Sequence, residues 1–83
     1  MPSRDAELSR LVAEQFAAAR RERGWSMERL ADEAGLHRTS IGLIERGLRS
    51  MSLDVAERLA KSLGLQLSTV VAEAEQARRR PPK

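Results

Sequence analysis

LADEAGLHRTSIGLIERG, residues 30–47, is the stretch that organises the rest of the chain. Gly35 can adopt the left-handed backbone conformation that commonly ends a helix, so we expect a helix to stop there. Ser26 is a suitable N-cap for that helix, because its hydroxyl oxygen can accept a backbone N–H that has no partner in the first turn. These signals predict one short helix over about 27–34 and a second over about 38–46.

The second of these helices has two chemically different faces. At about 100° per residue, Ile41 and Ile44 fall on one narrow apolar side, which can anchor the helix to a core. The outer side carries Arg38, Thr39 and Arg46, whose polar groups suit base edges and phosphates. An ordinary amphipathic helix with a solvated face would look the same, and periodicity alone does not separate the two. Two helices joined by a short turn containing glycine have the layout of a helix-turn-helix.

Length and composition narrow the classes of protein that the chain could represent. Its 83 residues form one small domain, and a core of that size is marginal, for which oligomerisation is a common remedy. With no cysteine and one histidine, we expect no disulfide, no metal site and no cofactor. Apolar runs of only a few residues predict neither a transmembrane helix nor a secretory signal, which favours a cytoplasmic protein. No small-molecule ligand is apparent.

The net charge of +3 is unevenly distributed. Positive charge lies on the second short helix, on the loop after it and on residues 78–83, which hold three arginines and one lysine and no acid. This asymmetry suggests a polyanionic partner. A solvated face and a solubilising tail would give the same pattern, and charge alone leaves both interpretations open. We expect residues 78–83 to be a disordered basic tail and residues 1–77 to form the folded domain.

Helical periodicity extends over the remainder of the chain. Further helices are predicted over about 4–22, 53–63 and 69–79, the last two capped by Ser52 and Ser68. The sequence contains no strand alternation and no internal repeat. The predicted fold is therefore all-α, with five helices. The sequence contains only one tryptophan, one phenylalanine and no tyrosine. Unpaired bases would therefore have few aromatic rings to stack on, which disfavours single-strand and RNA binding.

Residues 24–65, GWSMERLADEAGLHRTSIGLIERGLRSMSLDVAERLAKSLGL, resemble the Cro/CI-type (XRE) helix-turn-helix family. The similarity covers about residues 8–73, and its specific motifs are IERG and the S-L-x-x-A-x-x-L-A-x-x-L-G-L helix. Residues 36–53 look closest to the small controller proteins of restriction–modification systems. The resemblance implies a compact five-helix bundle of the lambda-repressor-like DNA-binding type. It also implies a homodimer that binds double-stranded DNA at a pseudo-palindromic operator and regulates transcription.

The resemblance assigns roles to individual residues of the helix-turn-helix. The base-reading positions of the recognition helix correspond to Arg38, Thr39 and Leu43. Leu43 has no hydrogen-bond donor, so it could only touch a thymine methyl group, or it could be a spare apolar residue. The phosphate-contacting positions correspond to Ser26, His37, Ser40, Arg46 and Arg49. The alternative role for these five residues is helix capping or solvated surface.

Outside the recognition helix, the resemblance implies an ion pair and a dimer surface. Arg20 and Glu45 match a structural ion pair of the family, and Arg21 and Arg23 are the rival partners of Glu45. The expected dimer interface is a surface of the fourth and fifth helices, using Val71, Ala72, Glu75 and their neighbours.

Two positions depart from the family pattern. Met27 stands where the family usually has a glutamine that bonds phosphate or base, and Gly42 stands where a side chain usually faces DNA. Either the backbone approaches DNA closely at Gly42 or the reading side chain is absent there. In the second case, specificity would rest on few side chains and on DNA shape.

A protein-interaction module and an enzyme are the two alternatives to a DNA-binding regulator. An antitoxin or another protein-interaction module could use the same bundle, and an antitoxin would also mask a toxin. We do not expect an enzyme, because the chain has no cysteine nucleophile, no metal cluster and no phosphate-cradling loop. Its serines at 26, 52 and 68 are placed as helix caps, and no histidine lies at a suitable spacing to activate them.

Overall fold

The computed structural model describes residues 7–79, which form five α-helices and no β-strand. The helices are α1 (Glu7–Glu22), α2 (Met27–Ala34), α3 (Arg38–Glu45), α4 (Leu53–Ser62) and α5 (Leu67–Arg79). The all-α, five-helix prediction is confirmed. Residues 4–6, where we predicted the first helix to start, lie outside the described residues. Within residues 7–79, no helix is both long enough and apolar enough to cross a membrane.

The beginning of α5 differs from the prediction. The helix starts at Leu67, and the carbonyl of Gln66 accepts the Val70 N–H at 3.2 Å. Ser68 therefore lies inside the first turn, and its assignment as the N-cap was wrong. Leu67 packs against the core, so the helix already begins at this residue, one position before the serine.

The end of α5 includes the first two residues of the predicted basic tail. Arg78 and Arg79 are exposed, but they are the last two residues of the helix. Arginine is a good helix former, and positive charge near a helix C-terminus interacts favourably with the helix dipole. The predicted end of this helix near residue 79 is therefore confirmed, and residues 80–83, the remainder of the predicted tail, lie outside the described part of the chain.

All five helices contribute to one hydrophobic core. The largest fully buried side chains come from α1, α2, α3, α4 and the C-cap residue that follows α4: Phe16, Leu30, Ile41, Leu59 and Leu63. The buried residues of α5 are Val70 and Ala74. α1 packs against both α3 and α5, whereas α2 packs against α3 and α4. The short helix α3 is thus held from two sides.

Two side chains of α1 and of the turn after it bind backbone carbonyls of other helices. The Gln15 Nε2 donates to the carbonyl of Val70 at 2.8 Å, which ties α1 to α5. The Arg23 Nη2 donates to the carbonyl of Leu63, at the C-terminal end of α4. A guanidinium in that place satisfies a carbonyl that the helix leaves free, and its charge complements the helix dipole.

Candidate nucleic-acid interface

The α2–turn–α3 unit is formed by local signals that the sequence already contains. The Ser26 Oγ accepts the Arg29 N–H at 3.0 Å, which confirms the predicted N-cap of α2. Gly35 has φ 69° and ψ 36°, the left-handed conformation predicted for it. The Leu36 N–H then bonds back to the carbonyl of Ala31 at 2.9 Å, so the chain reverses tightly into α3.

α3 has one buried side and one exposed side. Ile41 and Ile44 are 1% and 3% exposed and form part of the core. Arg38 and Thr39, in the first turn of the helix, are exposed, and Leu43 is half-buried. The helix therefore presents its N-terminal polar side chains to solvent while two isoleucines hold its other side. A helix fixed in this way can enter the major groove of B-DNA with its first turn facing the bases.

Arg38 also has a partner that we did not predict from the sequence. Its Nε lies 3.9 Å from Oε1 of Glu28, in the first turn of α2. The two side chains are 64% and 77% exposed. Ten positions and a turn separate these residues, so neither helical periodicity nor i,i+4 spacing indicates the contact. The one relevant feature of the sequence was Glu28 itself, an acid in the first turn of α2. An acid at that position is already explained by its favourable interaction with the helix dipole.

Four of the five predicted phosphate-contacting residues lie around the two ends of α3. At its start, His37 is the exposed N-cap residue, and its side chain makes no capping hydrogen bond. The Arg49 Nη1 donates to the Ser40 Oγ at 3.2 Å, so the loop after α3 returns to the first turn of the helix. At the other end, the Arg46 Nε donates to the carbonyl of Gly42 at 3.2 Å, which holds this side chain along the helix.

Ser26 retains hydrogen-bonding capacity although it caps α2. Its oxygen accepts one backbone N–H, but a hydroxyl group also has a hydrogen that it can donate. The side chain is exposed, so the hydrogen can reach an acceptor outside the protein. A phosphate oxygen at the N-terminus of a helix is such an acceptor.

The two departures from the family pattern lie side by side. A Cβ atom added at Gly42 would be 4.0 Å from the Sδ of Met27, an ordinary van der Waals distance. Met27 is half-buried and packs against the core. The structure therefore leaves an apolar spot between α2 and α3, where the family usually has a glutamine and a side chain that faces DNA.

The Arg20–Glu45 contact joins α1 to the last residue of α3. The Arg20 Nε donates to Oε2 of Glu45 at 2.7 Å, and Nη2 donates to Oε1 at 3.0 Å. The remaining terminal nitrogen, Nη1, donates to the carbonyl of Trp25 at 2.7 Å. The side chains are 10% and 8% exposed, so this ion pair is buried and carries several hydrogen bonds. Of the rival partners, Arg21 is exposed and Arg23 bonds to α4.

One of the three predicted dimer residues, Val71, lies at an apolar cleft. Val71 and Glu75 are half-buried, and Ala72 is exposed. Val71 lines a cleft of about 220 Å³ between α1, α4 and α5. The other lining side chains include Leu8, Val12, Leu53, Ala56 and Leu67. Leu53, the first residue of α4, is 79% exposed.

Comparisons with known proteins agree with this geometry. A protein-family profile described as "Helix-turn-helix" matches residues 16–70. The control protein C.BamHI of Bacillus amyloliquefaciens is 56% identical over 41 residues, which are 49% of this chain and 51% of that protein. The chain thus spans about half the length of this relative. The control protein C.SmaI of Serratia marcescens is 38% identical over 66 residues, 76% of this chain and 79% of that protein.

A solved structure extends the similarity over almost the full length. A point mutant of the restriction–modification controller protein C.Esp1396I superimposes with a TM-score of 0.79 at 26% sequence identity. The superposition covers 98% of this chain and 100% of that chain. The five helices described above therefore have the same arrangement as in that protein.

Proposed function

The chain belongs to the Cro/CI-type (XRE) helix-turn-helix family, and we propose that it is a sequence-specific regulator of transcription that binds double-stranded DNA as a homodimer. The family consists of DNA-binding regulators and not of enzymes. The proposed binding site is a pseudo-palindromic operator, and the proposed class is that of the restriction–modification controller proteins. With DNA as the partner, the proposed location is the cytoplasm. The observation that carries the proposal is the exposure of Arg38 and Thr39 on a helix whose other side is buried.

Base recognition is assigned to the exposed face of α3. The guanidinium of Arg38 can bond O6 and N7 of a guanine, a contact that discriminates against other bases by about 1–3 kcal/mol. The hydroxyl of Thr39 can donate to or accept from a neighbouring base edge. Leu43 has no polar group, so its proposed contact is apolar, with the methyl group of a thymine.

Affinity would come mainly from the phosphate backbone. Ser26, His37, Ser40, Arg46 and Arg49 are the proposed phosphate contacts. The exposed arginines would release condensed counterions on binding, so the logarithm of the binding constant should fall linearly with the logarithm of the salt concentration. The hydrogen bond between Arg49 and Ser40 supports this assignment, because it holds a positive charge beside the first turn of α3.

We assign the dimer interface to α4 and α5 around Val71, Ala72 and Glu75. The exposed Leu53 and the cleft that Val71 lines support it, because a partner chain that covered them would remove apolar surface from water. A two-fold dimer bound to B-DNA should place its two α3 helices about 34 Å apart, one turn of the duplex. An antitoxin or another protein-interaction module remains the alternative, because the same cleft could take a different protein.

A binding-site selection from random duplexes tests the proposal. The selected duplex should contain two related half-sites and should bind much more tightly than a random duplex at the same salt concentration. Arg38→Ala should reduce that preference. The control Arg21→Ala, an exposed arginine outside the helix-turn-helix, should retain it. A folded dimer that binds no duplex at low salt would refute the proposal and favour the interaction module.

A further inference from the structure

We infer that Glu28 is a specificity-determining residue of the DNA-binding surface, and that it acts by positioning Arg38 for guanine. This inference rests on the proposed function. Its starting point is the contact between Arg38 and Glu28, which joins the two helices of the helix-turn-helix across their exposed side.

The atoms in contact favour this role. The carboxylate of Glu28 lies near the Nε of Arg38, at 3.9 Å. Guanidinium groups carry five N–H donors in a fixed plane, and the bidentate contact with guanine O6 and N7 needs two of them. A carboxylate on the Nε side leaves both terminal nitrogens available for the base. It also limits the directions in which a long and otherwise free side chain can point.

The contact between Glu28 and Arg38 contributes little to the stability of the free protein. Both side chains are more than half exposed, and exposed ion pairs contribute little to folding. In a complex with DNA, part of the bulk water is displaced from around the pair, so the attraction between the same two charges becomes stronger. The pair would therefore have its main effect in the complex, where it fixes the direction of Arg38 at the moment of base contact.

The position of Glu28 also affects binding to the wrong sequences. It lies two residues after Ser26, a proposed phosphate contact at the N-terminus of α2. A carboxylate there repels phosphates of every sequence, whereas the ordered Arg38 is useful only opposite a guanine. Specificity is a difference between two affinities, and this arrangement lowers non-specific affinity while it supports the specific contact.

Glu28→Gln tests the inference, and Glu33→Gln is its matched control. Both acids lie on α2, both are exposed, and each contacts an arginine: Glu33 Oε2 lies 3.1 Å from the Nε of Arg29. Each substitution removes one negative charge, so both variants change the net charge of the protein equally. Affinity is measured for the selected duplex, for a random duplex and for the selected duplex with single base pairs replaced. The base pair at which Arg38→Ala loses discrimination identifies the one that Arg38 reads.

The expected result is specific to Glu28. Glu28→Gln should lower the ratio of specific to non-specific affinity by about fivefold, the factor that corresponds to a strong exposed ion pair. It should relax discrimination at the base pair read by Arg38 and leave the other positions unchanged. Glu33→Gln should keep the ratio. In an Arg38→Ala background, Glu28→Gln should have no further effect on the ratio, because the coupled residue is gone.

Two outcomes would overturn the inference, and they can be told apart. If Glu28→Gln and Glu33→Gln change the ratio equally, Glu28 contributes only its charge, and the proposed function still stands. If the wild-type protein prefers no selected duplex over random DNA, the proposed function fails and this inference fails with it. Thermal unfolding midpoints equal to that of the wild type would establish that neither variant acts through the fold.

Discussion

Replacing Glu45 with alanine should destabilise the fold strongly. The carboxylate accepts two hydrogen bonds from Arg20, at 2.7 and 3.0 Å, and both side chains are at most 10% exposed. Among residues 7–79, no buried side-chain nitrogen or oxygen lacks a hydrogen-bond partner. The substitution would leave a buried guanidinium with the Trp25 carbonyl as its remaining acceptor. Removing one partner of a buried ion pair costs about 3–5 kcal/mol, because the other charge stays uncompensated.

Thermal unfolding followed by circular dichroism measures this cost. For a domain of this size, 1 kcal/mol lowers the midpoint by about 4–8 °C, so a loss of 3 kcal/mol should lower it by roughly 12–24 °C. A loss of that size is a large share of the total, since small domains have about 0.05–0.15 kcal/mol of stability per residue. The protein concentration must be the same in every melt, because a dimer unfolds at a midpoint that depends on concentration.

Glu14→Ala is the control for Glu45→Ala. Glu14 also forms an ion pair with an arginine, Arg10, at 2.8 Å, but the two side chains are 57% and 41% exposed. The two ion pairs have nearly the same N–O distance, but the Arg10–Glu14 pair is exposed whereas the Arg20–Glu45 pair is buried. Glu14→Ala should therefore lower the free energy of unfolding by no more than about 1 kcal/mol. Equal midpoints for the two variants would refute the reasoning that burial makes the Arg20–Glu45 pair important.

Three further predictions concern binding, assembly and local backbone geometry. Arg49→Ala should weaken binding to all duplexes alike and reduce the salt slope by about 0.9, the contribution of one phosphate contact; a change in base preference measured by competition would contradict its role as a phosphate contact. Leu53→Asp should shift sedimentation toward a monomer while the helical content stays constant, because the side chain is 79% exposed in the single chain; an unchanged dimer would place the interface elsewhere. Gly35→Ala should destabilise by about 1–2 kcal/mol, because φ is +69° there. Gly42→Ala should stabilise by up to about 1 kcal/mol, because that glycine is helical with room for a methyl group, and chemical denaturation of both variants measures the difference in sign.

Several features of the fold followed from neighbouring residues in the sequence. The cap at Ser26 and the left-handed turn at Gly35 depend on hydrogen bonds between residues three to five positions apart. The burial of Ile41 and Ile44 follows from the helical repeat. Such interactions join residues within one or two helical turns of each other, so both partners can be identified from the local sequence. The Ser68 cap failed because Leu67, one residue earlier, is fixed by distant core contacts.

The partner of Glu45 shows what the helical repeat alone leaves open. Three arginines near the end of α1 could have been its partner. Arg20 lies one turn after Phe16 and on the same buried side of the helix, and it alone of the three is buried. Its neighbours Arg21 and Arg23 are exposed. The way α1 packs on α3 brings the Arg20 guanidinium within hydrogen-bond distance of the carboxylate.

The sequence by itself determined five helices, most of their ends and the two faces of α3, because caps, turns and the helical period act over a few residues. Only the tertiary structure decided that Glu28 lies beside Arg38 and that Leu53 stands exposed at the edge of an apolar cleft. These features depend on the angles and distances at which whole helices pack, and those are set jointly by all the side chains of the core.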